Sequence, residues 1–344
     1  MRFLLSALAW AILGLTVDIG AASAQQSDRV YKIGWLSLAR PGWVYPPIET
    51  WPGAIGGFWD ALRDKGFVVG KNLVVDLRHG NGDMARLAQE AESLVASNVD
   101  LIVTRGGAAT AAAMQATKHI PIVFLEVGDP VGRGMVASLA KPGGNVTGIA
   151  VQVTGPKMYQ LIRDIAPKVR RVGRLNYGPA RANSLTQDRA QEYQATQDAI
   201  NKTAAAAVGL EGIYFPVNSR DEIEPKLAEF AKGGDAALII VSDITISLWS
   251  EYILATALQH RLVTACNDIG WARAGCAISY ADDNYARLRR GAVMVDKVLK
   301  GTKPADIPVE QPTVFKLLVN ARTMKALDLT VPPMLLTLAD EVIE

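Results

Sequence analysis

The sequence predicts an α/β protein with two doubly wound lobes, each built around a parallel sheet. Short runs rich in β-branched residues alternate with longer segments of helical periodicity. The runs are apolar almost throughout, as is typical of strands that helices cover on both faces. The alternation pauses at residues 141–145, a cluster of glycine, proline and asparagine, and then begins again. Two similar series therefore predict two similarly built domains.

The series before the break is predicted to contain four strands separated by three helices. The strands are Tyr31–Leu38, Leu73–Leu77, Leu101–Thr104 and Ile122–Val127, and the helices are Gly57–Lys65, Met84–Ser97 and Ala108–Thr117. In the second helix, Leu87, Ala91 and Leu94 recur at helical spacing, which predicts a face buried against the sheet.

The series after the break repeats this order. Its strands are Val172–Asn176, Ile213–Val217, Ala237–Val241 and Val263–Ala265, and its helices are Lys157–Ile165, Gln187–Ala207, Ile223–Lys232 and Leu248–Gln259. A tail follows, with strands at Ala277–Tyr280 and Thr313–Val319 and helices at Ala286–Leu299 and Ala321–Leu327. The tail is too short to form a domain, so it must complete both sheets, and the chain must cross between the lobes more than once.

The amino terminus predicts export. Arg2 precedes the apolar run Phe3–Val17, which ends at the small residues Ala22-Ser23-Ala24, the pattern of a secretory signal peptide. We expect cleavage after Ala24, the alternative being a membrane anchor that is retained. The residue directly after the cleavage site is not a cysteine, so a lipid anchor is not expected. The predicted location of the mature chain is the periplasm.

Composition and motifs argue against several classes of function. The chain has 36 basic and 34 acidic residues, and residues 1–24 contain one of each, so the near-neutral balance gives no case for binding nucleic acid. His79, His119 and His260 are isolated, which gives no metal-ligand spacing. Neither a nucleotide-binding glycine motif nor a nucleophile elbow occurs. We expect no cofactor, no metal and no catalytic residue.

The two cysteines, Cys266 and Cys276, each lie near the end of a predicted strand. In an exported protein they either form a disulfide or remain buried thiols, and the sequence favours neither. A metal site is not expected, because no histidine lies near them in the sequence.

Ligands of open α/β sheets bind at the carboxyl ends of the strands. There, Arg105 is followed by the small residues Gly106, Gly107 and Ala108, which lead directly into a helix. The first N–H groups of that helix would be open to an anion, and Arg105 would add a charged donor. The alternative is a plain tight turn with Arg105 in solvent. Ser37, near the carboxyl end of the first predicted strand, is a further candidate.

Other strand ends supply further polar and aromatic candidates. Asp129 is predicted either to accept a hydrogen bond from a ligand ammonium or hydroxyl group or to cap the following turn. In the second series Tyr177 and Asn183 take equivalent positions, and Asp243 is either a ligand residue or a helix cap. Tyr280 is predicted to end its strand and line the same cleft.

The segment 41–52 is a long loop rich in proline and aromatic residues, directly after the first strand. It contains Trp43, Tyr45 and Trp51. Such a loop at the rim of a sheet either covers an apolar or aromatic ligand or packs on its own side chains.

Six segments resemble one known family. They are VTRGGAAT (103–110), QAT (115–117), IPIVF (120–124), GDPVG (128–132), SLAKPGGNVTG (138–148) and KGTKPADIPVEQPT (300–313). The chain resembles the bacterial ABC-transporter substrate-binding proteins related to the tryptophan- and tyrosine-type binding proteins, and the similarity covers residues 29–344. The family usually has Thr-Pro where this chain has Gly107-Ala108. The loop 41–52 of this chain is also longer than the loop expected for the family.

This resemblance implies a type I periplasmic binding fold, in which two lobes joined by a three-strand hinge close on a small ligand. The expected crossings lie near residues 148–151, 279–283 and 310–314. The expected lobes are 29–148 with 281–312, and 149–280 with 313–344.

The function that the resemblance implies is capture of a small solute for an ABC permease in the inner membrane, by a monomer that makes and breaks no bond. The expected ligand is a carboxylate with an apolar or aromatic body, such as an aromatic amino acid. Its anion would face residues 105–110, and its ammonium group would face Asp129 or Asp243. A periplasmic sensor that presents its closed form to a receptor is the alternative, and a secreted hydrolase is the third hypothesis.

Overall fold

The computed structural model describes residues 29–39, 47–48, 53–151, 155–177, 187–241 and 244–344. The predicted signal peptide, most of the aromatic loop and the candidates Trp43, Asn183 and Asp243 lie outside these ranges. Within them, no helix combines the length and the apolar character that crossing a membrane requires.

The first lobe is built on a sheet of five parallel strands in the order β2-β1-β3-β4-β5. The strands are β1 (Tyr31–Ser37), β2 (Leu73–His79), β3 (Leu101–Arg105), β4 (Ile122–Gly128) and β5 (Val146–Val151). Helices α1 (Gly53–Asp64), α2 (Met84–Ala96) and α3 (Gly106–Ala116) lie between them. The predicted fold class is confirmed here, because the alternation of strands and helices produces a parallel sheet with helices on its faces.

Helix α2 shows how the local sequence defines an element. It begins at the cap Asp83, whose carboxylate accepts a hydrogen bond from the N–H of Arg86. Its buried residues are Leu87, Ala91 and Leu94, which is the face that the spacing predicted.

The second lobe has a seven-stranded sheet in the order β12-β11-β10-β9-β8-β6-β7. Its strands are β6 (Arg171–Tyr177), β7 (Glu211–Val217), β8 (Ala236–Ile240), β9 (Val263–Cys266), β10 (Ile278–Asp282), β11 (Phe315–Asn320) and β12 (Glu341–Ile343). The only antiparallel neighbours among these described strands are β10 and β11, because the chain returns to this sheet from the opposite direction.

The helices of the second lobe connect and flank these strands. They are α4 (Gly155–Ile165), α5 (Gln187–Ala206), α6 (Ile223–Phe230), α7 (Ile244–Leu248), α8 (Ser250–Gln259), α9 (Ile269–Arg273), α11 (Ala321–Ala326) and α12 (Pro333–Leu338). The remaining long helix, α10 (Asn284–Leu299), follows β10 in the chain but packs on the first lobe, where Leu288, Val295 and Leu299 join the core around Trp35.

The chain therefore passes between the lobes after β5, between β10 and α10, and again before β11. The crossings lie side by side. The N–H of Ala150 donates to the carbonyl of Glu310 at 2.9 Å, and Asp282 pairs with Phe315 at the start of β11. These contacts define a hinge at the end of the sheets where the ligand is expected.

Cys266 and Cys276 form a disulfide that links the end of β9 to the residues before β10, with ten residues of sequence separation. Both residues are fully buried in a core of the second lobe. Of the two alternatives that the sequence left open, the structure thus has the disulfide.

We expect removal of this disulfide to lower the free energy of unfolding by about 2–3 kcal/mol, because the cross-link restricts a short loop of the unfolded chain. Urea denaturation with and without a reducing agent measures the difference. The double variant Cys266→Ala/Cys276→Ala is the control, since its stability should not respond to reductant. A wild-type protein that is equally stable in both conditions would contradict the pairing.

Candidate functional site

A cavity of about 250 Å³ lies between the two sheets, next to the hinge. Both lobes line it, at the carboxyl ends of their strands, as the predicted fold requires. The lining residues are Arg105, Gly106, Glu126, Val151, Ser247, Leu248, Asn267, Asp268, Asp282, Asn284 and Arg287.

Arg105 lies where β3 passes directly into α3. Gly106 begins the helix with φ +80°, a conformation that glycine adopts without strain, and it lines the cavity. The Nε of Arg105 donates to the Oε2 of Glu126 at 2.5 Å. Arg105 is thus held in an ion pair beside the start of α3, rather than lying in solvent as the tight-turn alternative would have it.

Glu126 reaches the cavity because β4 contains a bulge. The register of β4 against β5 shifts between Leu125 and Val127, and Glu126 has φ +64°. A bulge redirects the side chain of its extra residue, and the carboxylate of Glu126 lies between Arg105 and Arg287. Burial opposes ionisation of Glu126, but the two guanidinium groups outweigh it and hold its pKa at about 2.

Arg287, on α10, connects this pair to the hinge. Its side chain is 5% exposed and donates from Nη2 to Glu126 at 3.1 Å and to Asn284 at 2.6 Å, while Nη1 donates to Asp282. Burial raises the pKa of Asp282 above its usual value and outweighs the attraction of Arg287, which lowers it. The pair Arg287–Asp282 therefore lies deep in the hinge.

Asp268 completes a continuous chain of polar contacts. Its Oδ1 accepts a hydrogen bond from the N–H of Gly270 at the start of α9, and its Oδ2 accepts one from Asn284 at 3.2 Å. We call the five contiguous residues that line this side of the cavity the cleft floor; they are Asp268, Asn284, Arg287, Glu126 and Arg105. One end of the cleft floor presents a carboxylate, and the other presents a guanidinium group beside the start of α3.

The structure places the other candidates as follows. Ser37 is buried at the end of β1, opposite Arg105 in the register, and Gly107 and Ala108 lie in the first turn of α3. Tyr177 ends β6 and packs edge-on against Trp249, with 5.9 Å between the ring centroids.

Asp129 lies in the turn that follows β4, and both of its oxygens contact protein groups. Its Oδ1 accepts a hydrogen bond from the N–H of Gly132 at 2.9 Å, which matches the turn-capping alternative. Its Oδ2 accepts one from the Nε2 of Gln197, in the second lobe, at 3.4 Å.

The predicted end of the strand at Tyr280 is wrong. Strand β10 continues two residues further, to Asp282, so Asp282 takes the position at the hinge. Tyr280 stacks instead on Phe315, with 5.4 Å between the ring centroids, and packs against a core of the second lobe.

Four residues of the cleft floor were not among the candidates selected from the sequence, namely Asp268, Asn284, Arg287 and Glu126. The rule that selected Asp129 applies equally to Asp268, which follows the predicted strand Val263–Ala265. Glu126 lies within a predicted strand and Arg287 within a predicted helix, so neither carries a signal that separates it from ordinary surface residues.

Comparison with known proteins identifies the family. Residues 51–343 match the model of the ABC transporter substrate binding proteins. The chain belongs to this family. The predicted resemblance is thereby confirmed, and the protein is an ABC-type substrate-binding protein.

Individual relatives agree with this assignment. The chain is 28% identical over 291 residues to a tyrosine-binding protein of Clostridioides difficile, a match that covers 79% of this chain and 76% of that protein. It superposes with a TM-score of 0.79 on an ABC domain from Streptococcus pneumoniae in complex with L-Trp, at 26% identity and over 91% of this chain and all of that one. A third comparison is with a ligand-free, open substrate-binding protein from Clostridium difficile, on which the chain superposes with a TM-score of 0.62 at 24% identity. This match covers 91% of this chain and 99% of that one.

Proposed function

We propose that this protein captures an aromatic amino acid in the cleft between its lobes and delivers it to an ABC permease of the inner membrane. Family membership supports the transport role. One relative is a tyrosine-binding protein, and the structure of another is a complex with L-Trp. The disulfide is typical of an oxidising compartment such as the periplasm. The signal peptide predicted at residues 1–24 agrees with that location.

The observation that supports an amino-acid ligand most strongly is the charge distribution of the cleft floor. An α-amino acid carries an anion and a cation a few bonds apart. Its carboxylate fits the end formed by Arg105 and the start of α3, and its ammonium group fits the carboxylate of Asp268. The cavity, at about 250 Å³, is smaller than the roughly 300–1,000 Å³ of drug-sized sites, which favours a ligand of this size.

Binding in this cavity favours closure, because both lobes contribute to its walls. A ligand that contacts both lobes binds the closed form more tightly than the open form and shifts the equilibrium towards it. The protein acts as a monomer that binds and releases its ligand unchanged.

A thermal-shift panel of L-tryptophan, L-tyrosine and L-phenylalanine, with glucose and spermidine as controls, tests this proposal. An aromatic amino acid at 100 times its dissociation constant should add about 2.7 kcal/mol to the free energy of unfolding. Stabilisation by glucose or spermidine, with none by the three amino acids, would show that the proposed ligand class is wrong.

We expect Asp268→Asn to weaken binding of the amino acid by about 1–3 kcal/mol, because an ammonium group would lose its charged acceptor. Asparagine is also a good helix cap, so α9 should remain intact. The matched control is Asp283→Asn, which makes the same change at the cap of α10, outside the cavity. Calorimetric titration measures both, and equal affinities for the two variants would exclude Asp268 from the site.

A further inference from the structure

A second contact joins the lobes, away from the cavity. Asp129 belongs to the turn after β4 of the first lobe, and Gln197 lies on α5 of the second. The Nε2 of Gln197 donates to the Oδ2 of Asp129 at 3.4 Å. Neither residue is part of the cavity lining. This contact therefore links the lobes without taking part in the proposed ligand site.

The amide of Gln197 is oriented for this contact from within its own lobe. Arg174, on β6, is 4% exposed and donates from Nη1 to the Oε1 of Gln197 at 3.0 Å. Because a guanidinium group only donates hydrogen bonds, the amide oxygen must face Arg174, and the NH₂ group is left to face Asp129. Gln197 is itself 6% exposed, so packing and hydrogen bonding both restrict its rotation.

Asp129 is equally well positioned in the first lobe. Its φ of +48° is a left-handed conformation that Asp and Asn tolerate better than most residues. The N–H of Gly132 fixes Oδ1, and a Cβ at Gly132 would lie 2.3 Å from Oδ2. Glycine at that position therefore leaves room for the carboxylate that points to the second lobe.

We propose that Asp129, Gln197 and Arg174 form a latch that closes only when the lobes come together and that raises ligand affinity without contacting the ligand. Separation of the lobes breaks the bond between Asp129 and Gln197, whereas the contact of Asp129 with Gly132 and the contact of Gln197 with Arg174 each lie within one lobe. Observed affinity depends on the population of the closed form, so a latch that favours closure strengthens binding.

The variant Gln197→Glu tests the latch. Glutamate keeps an acceptor for Arg174 but places a second carboxylate against Asp129, which favours the open form. We expect the dissociation constant for L-tryptophan to rise about tenfold. The second change Asp129→Asn provides an amide that donates to the new carboxylate, and the double variant should return to within about threefold of wild type.

The control is Gln194→Glu, which adds the same charge one turn earlier on α5, where Gln194 lines a surface groove with Lys202; its affinity should equal that of wild type. Wild-type affinity for Gln197→Glu, or no recovery in the double variant, would overturn the latch. A thermal melt of each variant establishes that it is folded.

Asp129→Asn alone separates the latch from a direct ligand contact. A latch loses the same factor in affinity for L-tryptophan and for indole-3-propionate, which lacks the ammonium group. A loss confined to L-tryptophan would show that Asp129 binds the ammonium group, and the latch would be wrong.

These binding measurements rest on the proposed function, and small-angle scattering without ligand does not. The radius of gyration of Gln197→Glu should exceed that of wild type, and equal values would contradict the latch. If wild type binds no aromatic amino acid, the proposed function fails, and the scattering comparison then decides the latch by itself.

Discussion

Replacing Arg287 by leucine is expected to lower the free energy of unfolding by about 3–5 kcal/mol at pH 7. Arg287 is 5% exposed and is hydrogen-bonded to the carboxylates of Glu126 and Asp282. Leucine fills part of the volume but leaves both carboxylates without this cation in a mostly buried site, and removing one partner of a buried ion pair costs this much. Urea denaturation measures the loss.

The matched control is Arg289→Leu, on the same helix. Arg289 pairs with Asp64 at the surface, where the two side chains are 36% and 56% exposed, so its loss should cost less than about 1 kcal/mol. Equal destabilisation by the two variants would show that the ion pairs of Arg287 do not hold the hinge together.

The loss in free energy of unfolding caused by Arg287→Leu should also depend on pH. The folded-state pKa of Glu126 is lowered from 4.5 to about 2, so its ionised form stabilises the fold above pH 4.5, and this contribution is lost as the pH falls through 2. The variant removes one of the two cations, which raises that pKa, so Glu126 takes up its proton at a higher pH than in wild type. Burial already raises the pKa of Asp282, and loss of Arg287 raises it further.

Protonation of both carboxylates relieves the buried charge in the variant while Glu126 of wild type is still ionised. The stability difference between the two proteins should therefore shrink as the pH is lowered from 7 to 3. Urea denaturation at both values measures it, and a difference that stays constant would contradict the assigned ion pairs.

Gly148→Ala is expected to destabilise the protein by about 3 kcal/mol. A Cβ at Gly148 would lie 2.1 Å from the carbonyl oxygen of Phe124, a backbone atom of the neighbouring strand that cannot rotate away. Inserting an atom into such a site forces the strands apart. The carbonyl of Gly148 also accepts a hydrogen bond from the N–H of Glu310 at the crossing, so the hinge is disturbed as well.

Gly144→Ala provides the comparison four residues earlier. A Cβ there meets no atom within 4 Å, so the change should stay within about 0.5 kcal/mol of wild type. Thermal melts of the two variants at one protein concentration measure the difference. Similar melting temperatures would mean that β4 and β5 do not approach each other as described.

The fold was largely predictable because buried parallel strands have a strong signature. Runs such as Leu101–Thr104 are apolar and are followed by helical periodicity, which leaves few alternatives. The strand β5 was missed because Thr147 and Gly148 interrupt its apolar pattern directly after the break at 141–145. Helix α9 and strand β12 have only five and three residues, too few to show a period.

The site was predictable only in part. The carboxyl ends of the strands indicated where the cleft lies and selected Arg105, but pairs of side chains depend on tertiary contacts. The carboxylate of Glu126 faces Arg105 because of a bulge, and Arg287 reaches both Glu126 and Asp282 because α10 crosses to the first lobe. Neither the bulge nor that crossing is visible as a pattern in one sequence.

Calorimetric titration of the wild-type protein with L-tryptophan, L-tyrosine and indole-3-propionate tests the central claim most directly. The proposed site predicts binding of one molecule per chain for at least one of the two amino acids. It also predicts that indole-3-propionate binds at least tenfold more weakly than L-tryptophan, because it cannot use Asp268. Absence of binding by both amino acids, or equal affinity for L-tryptophan and its analogue without the ammonium group, would contradict a cleft built for the zwitterion of an aromatic amino acid.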